Sequence, residues 1–201
     1  STLLNLDEKV KIISIATRPD EIYPEVVELL KKLKTQKTVW VELGLQSIHP
    51  KTYRFFHRGY ENDSFERAVK LLHEANIDII VHIINGLPYE TKDMMLETVK
   101  YLAAFPIQGI KIHMLHVMKD TPFGEMYLKE PFSLLTLKEY VEITAEQLRY
   151  LPTSIVIHRL TGDAPISLLI APEWTKRKFV VLNEIDKYMR KENIWQGDLV
   201  K

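Results

Sequence analysis

Strand-like and helix-like segments alternate along most of the chain, and this alternation restricts the fold more than any other feature. Residues 9–17 form a β-branched apolar run, and residues 21–34 carry apolar side chains at helical spacing. This order predicts βαβ units around a parallel sheet. Further strands are predicted at 38–46, 77–85, 107–117 and 154–158, and further helices at 50–57, 64–75 (with Ser64 as N-cap), 91–105, 136–150 (capped by Thr136 and Glu139) and 179–191.

The second predicted strand, at 38–46, has two chemically different faces. Successive side chains in a strand point to opposite sides of the sheet. One face is wholly apolar and should pack on helices, while the other carries a carboxylate and an amide where a barrel interior would be. The apolar face comprises Val39, Val41, Leu43 and Leu45, and the interior face comprises Trp40, Glu42, Gly44 and Gln46.

Polar residues stand at or just beyond the end of every predicted strand. In α/β barrels the functional groups gather at the carboxyl ends of the strands and in the loops that follow. The sequence therefore predicts an active-site face at these ends. Its members would be Thr17 and Arg18, Gln46 and Ser47, His82 and Asn85, His116 and Lys119, and His158 and Arg159.

Composition excludes several classes of function. Lys and Arg together number 27, as do Asp and Glu, so no net field attracts nucleic acid or an anionic membrane. No apolar run approaches the ~20 residues of a membrane span, and no signal peptide is recognisable. We expect a cytoplasmic protein without membrane partners. The absence of cysteine excludes disulfides and thiolate metal sites within these residues.

Four short motifs follow one another at compatible spacing. They are Thr-Arg-Pro-Asp at 17–20, Glu-Leu-Gly-Leu-Gln-Ser at 42–47, Gly-Leu-Pro-Tyr-Glu-Thr at 86–91 and His-Arg-Leu-Thr-Gly-Asp-Ala-Pro at 158–165. Together they resemble the radical S-adenosylmethionine (SAM) superfamily, in the branch of elongator-type and coproporphyrinogen-dehydrogenase-type enzymes. The last motif is similar to a subfamily of iron–sulfur oxidoreductases.

The resemblance implies an α/β fold, an incomplete (β/α)6 TIM-like barrel that starts near the family's third strand. Residues 1–160 would form the partial barrel, and residues 161–201 a C-terminal extension packed on it. Two departures from the family pattern stand out. Ala16 occupies a position where relatives carry an acid, which puts part of the ribose site in doubt, and Tyr89 replaces the second glycine of its turn.

The same resemblance implies SAM and a 4Fe-4S cluster as cofactors. In the family, a reduced cluster donates an electron to SAM and releases a 5′-deoxyadenosyl radical that abstracts hydrogen from a substrate. The family's cysteine motif follows its first strand and is not in this chain, so we expect the cluster ligands upstream of Ser1 and an inactive isolated chain. Flavodoxin or ferredoxin would be the electron donor.

Site residues are transferred from the resemblance position by position. Gln46 would contact SAM, Arg58 its carboxylate and His82 its ribose, while the backbone at 86–88 would approach adenine. No metal ligand and no catalytic residue is assigned. The complete cofactor-binding set is Thr17, Arg18, Glu42, Gly44, Gln46, Ser47, Arg58, His82, Asn85, Gly86, Leu87 and Pro88.

A second set of residues would face the substrate. These residues are largely cationic, which favours an anionic small molecule or a transfer RNA (tRNA) as the substrate. The members are His116, Lys119, His158 and Arg159.

Structural interpretations compete with these roles. Glu42 could form an ion pair with Arg18 or Arg58, Arg159 could pair with Asp163, and His82 could be a hydrogen-bonded core histidine. Gln46 could equally satisfy a neighbouring strand end.

Two other functional classes also remain open. A metal-dependent hydrolase could use His82, His113, His116 and His158, although two histidines three apart on one strand would point to opposite faces. A non-catalytic binding module is the other possibility. On the radical SAM interpretation the sheet lacks the family's first strands and exposes an unpaired edge, so we expect the chain to be marginally stable or to form an edge-to-edge homodimer.

Overall fold

The computed structural model describes residues 9–200, whose centre is a parallel sheet. The sheet has five strands in the order β1-β2-β3-β4-β6, and each neighbouring pair is parallel. A separate antiparallel pair joins β5 to β7. The strands are β1 Ile12–Thr17, β2 Thr38–Gln46, β3 Asp78–Asn85, β4 Gly109–Met114, β5 Val117–Met118, β6 Val156–Arg159 and β7 Leu169–Ala171.

Within the described residues, seven α-helices connect or follow these strands. Short 3-10 turns at Pro19–Glu21, Ile166–Leu168 and Glu173–Lys176 complete the regular structure. The helices are α1 Pro24–Lys34, α2 Pro50–Phe55, α3 Asn62–Glu74, α4 Lys92–Ala103, α5 Pro122–Lys129, α6 Leu137–Arg149 and α7 Lys178–Glu192.

The predicted order of elements is confirmed, with most ends within about three residues of those observed. The predicted strand at 107–117 is divided, because β4 ends at Met114 and Val117 pairs instead with Ala171. The capping box of Thr136 and Glu139 is present at α6. The N-cap prediction for Ser64 is wrong, since α3 begins at Asn62, whose side chain is held by Arg58 and by the Ile48 carbonyl.

The two faces of β2 are those predicted. Val41, Leu43 and Leu45 are completely buried against the helices, whereas Glu42 and Gln46 on the opposite face are half-buried. The helices α1, α3 and α4 belong to the same core as β2 and β3. The other side of the sheet, here called the interior face, carries no helix of comparable packing among the described residues and stays accessible.

The strand β1 lies at one edge of the sheet. Among the described residues it pairs only with β2, and Ser14 and Ala16 are exposed on its interior face. At the other end, α7 packs on α6 through Val181 and Ile185. The division of the chain at residue 160 stays a prediction.

Candidate functional site

The centre of the interior face is the carboxylate of Glu42 on β2. Lys111 Nζ on β4 lies 2.5 Å from Glu42 Oε2, and His82 Nε2 on β3 lies 2.6 Å from the same oxygen. Ser14 on β1 donates its hydroxyl to Oε1 at 2.6 Å. One carboxylate therefore joins four adjacent parallel strands.

These contacts correct one structural interpretation. Glu42 pairs with Lys111 and His82 and not with Arg18 or Arg58. Arg18 is instead bound to Asp20 by two hydrogen bonds of 2.9 and 2.7 Å. Sequence reasoning missed Lys111, although its alternation with Gly109 and His113 places all three on one face.

The environment sets the protonation of this cluster. Burial alone would raise the pKa of Glu42, but hydrogen bonds from Lys111, Ser14 and His82 together outweigh it and hold the pKa at about 2. Burial lowers the pKa of His82 although Glu42 opposes the change. Burial, followed by the charge of His82, lowers the pKa of His113 to about 4. At neutral pH Glu42 is thus a carboxylate, and the imidazoles of His82 and His113 are uncharged.

Aromatic rings continue the interior face beyond this cluster. His82 and His113 stack with ring centres 5.3 Å apart and planes 22° apart. Trp40 meets His158 edge-on at 5.2 Å. A Cβ at Gly109 would lie 2.5 Å from the His158 ring, so glycine is required for His158 to lie across β4.

The end of β2 has an unusual backbone. Gln46 adopts a φ of 65°, in the left-handed region, next to a register shift between Gly44 and Gln46. A Cβ at Gly44 would lie 2.7 Å from Gln46 Nε2. The hydroxyl of Tyr60 donates to the Gly44 carbonyl. Gly44 and Gln46 thus form one interlocked unit at the carboxyl end of the strand, open to the interior.

Two predicted cofactor contacts lie away from the interior face. Ser47 is fully buried, and its hydroxyl donates to the carboxylate of Glu90. Asn85 exchanges two amide hydrogen bonds with Gln147 of α6, at 2.8 and 3.0 Å. The structure therefore places Asn85 on the helix side of β3, and it does not bring these two side chains together with Glu42.

The guanidinium of Arg58 is also engaged by the protein itself. It is 6% exposed and donates to the carbonyls of Tyr60, Leu45 and Ser47 and to the Asn62 side chain, at 2.8 to 2.9 Å. These bonds use four of its five N–H groups. The contact between Arg58 and a SAM carboxylate stays a prediction. One N–H group of the guanidinium remains to make it.

The turn after β3 borders a cavity of about 300 Å³. Leu87 and Pro88 are buried, and Gly86 has a φ of 88°, with Leu135 packed where a side chain would be. Tyr89 has a φ of 68°, so the tyrosine occupies a conformation suited to glycine. Thr17 is half-buried at the end of β1.

Of the predicted substrate-side residues, His158 and Arg159 are the last two residues of β6, whereas His116 follows β4 and Lys119 follows β5. Arg159 pairs with Asp163 at 3.2 Å, as the structural interpretation of Arg159 proposed, and Lys178 contacts the same carboxylate. His116 follows β4 and packs against Gly162, so the prediction that it shares a strand with His113 is wrong. Lys119 is exposed, and its backbone N–H donates to the Leu168 carbonyl at 2.7 Å.

Sequence comparison agrees with this geometry. Residues 2–102 match the family model of the radical SAM superfamily, and residues 107–191 match the Radical_SAM C-terminal domain. The chain belongs to the radical SAM superfamily.

This radical SAM chain resembles two related sequences and one solved structure from a bacterium and an archaeon. It is 41% identical over 196 residues to the uncharacterized protein YtqA of Bacillus subtilis, covering 98% of this chain and 61% of YtqA. It is 24% identical over 161 residues to the tRNA uridine(34) acetyltransferase of Methanocaldococcus infernus, covering 79% of this chain and 30% of that protein. The structure of Elp3 from the same archaeon superposes with a TM-score of 0.78 and 23% identity, covering 92% of this chain and 43% of Elp3.

The residues present fit the two radical SAM cofactors unequally. The chain has no cysteine, so it supplies no thiolate to a 4Fe-4S cluster. The unit of Gly44 and Gln46 fits a ligand that bears hydroxyls, because the amide can both donate and accept beside a position without a side chain.

Two further observations bear on other functions. Within residues 9–200, no three His, Asp or Glu side chains come together as a metal site would require. The hydrolase alternative therefore gains no support from the described residues. In the same part of the chain, no helix combines the length and apolarity needed to cross a membrane.

Proposed function

We propose that this chain forms the SAM-binding and substrate-facing part of a radical SAM iron–sulfur oxidoreductase. One observation carries the proposal: the polar interior face centred on Glu42 and Gln46 lies on the open side of the sheet in a chain of this superfamily. With a reduced cluster held outside the chain, SAM would supply the one-electron chemistry that removes hydrogen from a substrate. Activity, substrate and partners of the whole protein belong to this proposal, since the chain spans only 61% of YtqA.

Residues of the interior face and of the turn after β3 would bind SAM and exclude water. The Gln46 amide would exchange hydrogen bonds with ribose hydroxyls, and Gly44 would leave room for that amide. The backbone at Gly86 would let adenine approach closely, because no side chain intervenes. Trp40 and the imidazole of His158, which meet edge-on, would shield the part of the interior face around them from water.

The substrate would be anionic, either a small molecule or a tRNA. Lys119, just after β5, and Arg159, the last residue of β6, are exposed, and a related sequence belongs to a tRNA uridine(34) acetyltransferase. A mobility shift with tRNA at increasing salt tests this part. We expect the affinity for tRNA to fall as salt increases and to be lower in an Arg159→Gln variant. An affinity that is the same in the variant would exclude tRNA from the proposal. A flavodoxin or ferredoxin donor and a cytoplasmic location belong to the same proposal.

Ligand-observed NMR tests SAM binding directly. Saturation transfer from the protein to SAM should appear at the adenine and ribose protons. Gln46→Ala should weaken this transfer, while Gln36→Ala, at an exposed position after α1, should not. Absence of transfer to SAM in the unmodified chain, or equal transfer in both variants, would contradict the proposed site.

A further inference from the structure

His82 uses only one of its two ring nitrogens in contacts with the described residues. Nε2 lies 2.6 Å from Glu42 Oε2. Nδ1 has no hydrogen-bond partner within residues 9–200. In that part of the chain, the side-chain atoms that are both fully buried and without a partner are Thr52 Oγ1 and His113 Nε2, so Nδ1 of His82 is not fully buried. The side chain keeps 22% of its surface exposed. Nδ1 is therefore accessible to a small molecule on the interior face.

The surroundings favour an uncharged ring. Lys111 at 2.5 Å already compensates the charge of Glu42. A proton on His82 would add a second positive charge near Lys111 and Arg159, beside the stacked ring of His113. Burial lowers the pKa of His82 and acts in the same direction. A neutral imidazole that donates from Nε2 must carry a lone pair at Nδ1.

We propose that Glu42 is a positioning residue, which fixes neutral His82 as the Nε2–H tautomer and so makes Nδ1 a hydrogen-bond acceptor for a ligand hydroxyl. Lys111 supports this arrangement by keeping Glu42 ionised, and Ser14 holds the other carboxylate oxygen. The identity of the hydroxyl rests on the proposed function, in which the ribose of SAM reaches this face. The tautomer itself depends only on contacts within the chain.

Nitrogen-15 NMR of the imidazole groups tests the tautomer. At neutral pH, His82 should show one protonated nitrogen, Nε2, and one unprotonated nitrogen, Nδ1. Glu42→Met should give a mixture of tautomers, whereas Glu42→Gln, whose amide oxygen can still accept from Nε2, should largely restore the original signals. Glu184→Met, which removes the carboxylate paired with Lys187 on α7, is the matched control and should leave them unchanged. A doubly protonated ring or an Nδ1–H tautomer in the unmodified chain would overturn the proposal, as would unchanged signals in Glu42→Met.

A pair of substitutions at His82 tests the ligand contact. Asparagine places its amide close to the position of Nδ1, and glutamine places its amide close to that of Nε2. His82→Gln should weaken SAM binding by about 5- to 10-fold, as expected for the loss of one hydrogen bond, and His82→Asn should weaken it less.

The two experiments separate the two ways of failing. If the unmodified chain binds no SAM, the proposed function fails while the NMR result still decides the tautomer. If the tautomer is as proposed but His82→Gln binds SAM as tightly as the unmodified chain, then Nδ1 is not the ligand's acceptor.

Discussion

The hydroxyl of Ser47 donates to the carboxylate of Glu90, and this bond joins the motif that ends β2 to the motif that follows β3. Ser47 is fully buried, and Glu90 is half-buried at the turn that follows residues 86–88. Burial raises the pKa of Glu90, although Ser47 and His49 act in the opposite direction. The sequence motifs after β2 and β3 are thus one structural unit.

A raised carboxyl pKa predicts how Glu90→Gln changes stability. The folded chain holds the Glu90 proton more tightly than the unfolded chain, so the contribution of Glu90 becomes less favourable as pH rises through its folded pKa. Glutamine keeps an acceptor for Ser47 and removes the buried charge. We expect Glu90→Gln to raise the free energy of unfolding by about 1 kcal/mol at pH 7 and to lose this advantage in acid. Urea unfolding at both pH values measures it, and an advantage that persists in acid would contradict the argument.

The opposite pH dependence is expected at Glu42. Its pKa is lowered from 4.5 to about 2, so its contribution to stability is complete above 4.5 and is lost as pH falls towards 2. Lys111→Met leaves the half-buried carboxylate without its ammonium partner. It should cost about 2 kcal/mol at pH 7 and much less near pH 2, as urea unfolding at the two pH values would measure.

Lys187→Met is a matched control for the Lys111 variant, because Lys187 forms an exposed pair with Glu184 on α7. It should change the unfolding free energy by less than about 0.5 kcal/mol at either pH. Equal effects of the two substitutions would show that the Lys111–Glu42 pair contributes no more than a surface pair does.

The alternation of side chains was sufficient to predict the faces of β2. Val41 and Glu42 differ in burial because neighbouring residues of a strand point to opposite sides, which is a local property of the chain. The partner of Glu42 could not be predicted in the same way. Lys111 lies 69 residues further along, and only the register of β2, β3 and β4 brings the two together.

Four of the five predicted strands end within one residue of the observed position, but the side chains of Ser47 and Asn85 lie away from the interior face. Asn85 shares the parity of Ile83 and so belongs to the helix side, a conclusion that strict alternation from Ile83 would have given. The helix α5 was missed although Thr121 and Pro122 form a typical N-cap and first position. The strands β5 and β7 have two and three residues, too few for any periodic signal.

The amide pair of Asn85 and Gln147 predicts a structural effect without a binding effect. Asn85→Ala should cost about 2–3 kcal/mol, because it leaves the buried Gln147 amide without its Asn85 partner. The double variant with Gln147→Ala should cost less than the sum of the single changes. SAM binding by the folded Asn85→Ala protein should be unchanged, and a weakened affinity would return Asn85 to the cofactor-binding set.

The edge of β1 predicts self-association of the chain. Its outer side has no partner among the described residues, and Ile12 on this strand is 41% exposed. Sedimentation velocity over a wide range of concentration should show a monomer–dimer equilibrium. Ile12→Lys should shift it to monomer, because a charged edge strand resists pairing. A chain that stays monomeric at every concentration would exclude the edge-to-edge dimer.

The turn after β3 predicts an unusual order of stabilities at Tyr89. Its φ of 68° is unfavourable for any residue with a Cβ, by about 1 kcal/mol relative to glycine. The ring offsets part of this cost, since it meets Phe55 edge-on at 5.0 Å and lies beneath Lys51 Nζ at 4.4 Å. Tyr89→Ala loses the ring and keeps the strained backbone, whereas Tyr89→Gly loses the ring and relieves the strain. Thermal unfolding should therefore find the glycine variant about 1 kcal/mol more stable than the alanine variant, the reverse of the order expected where φ is negative.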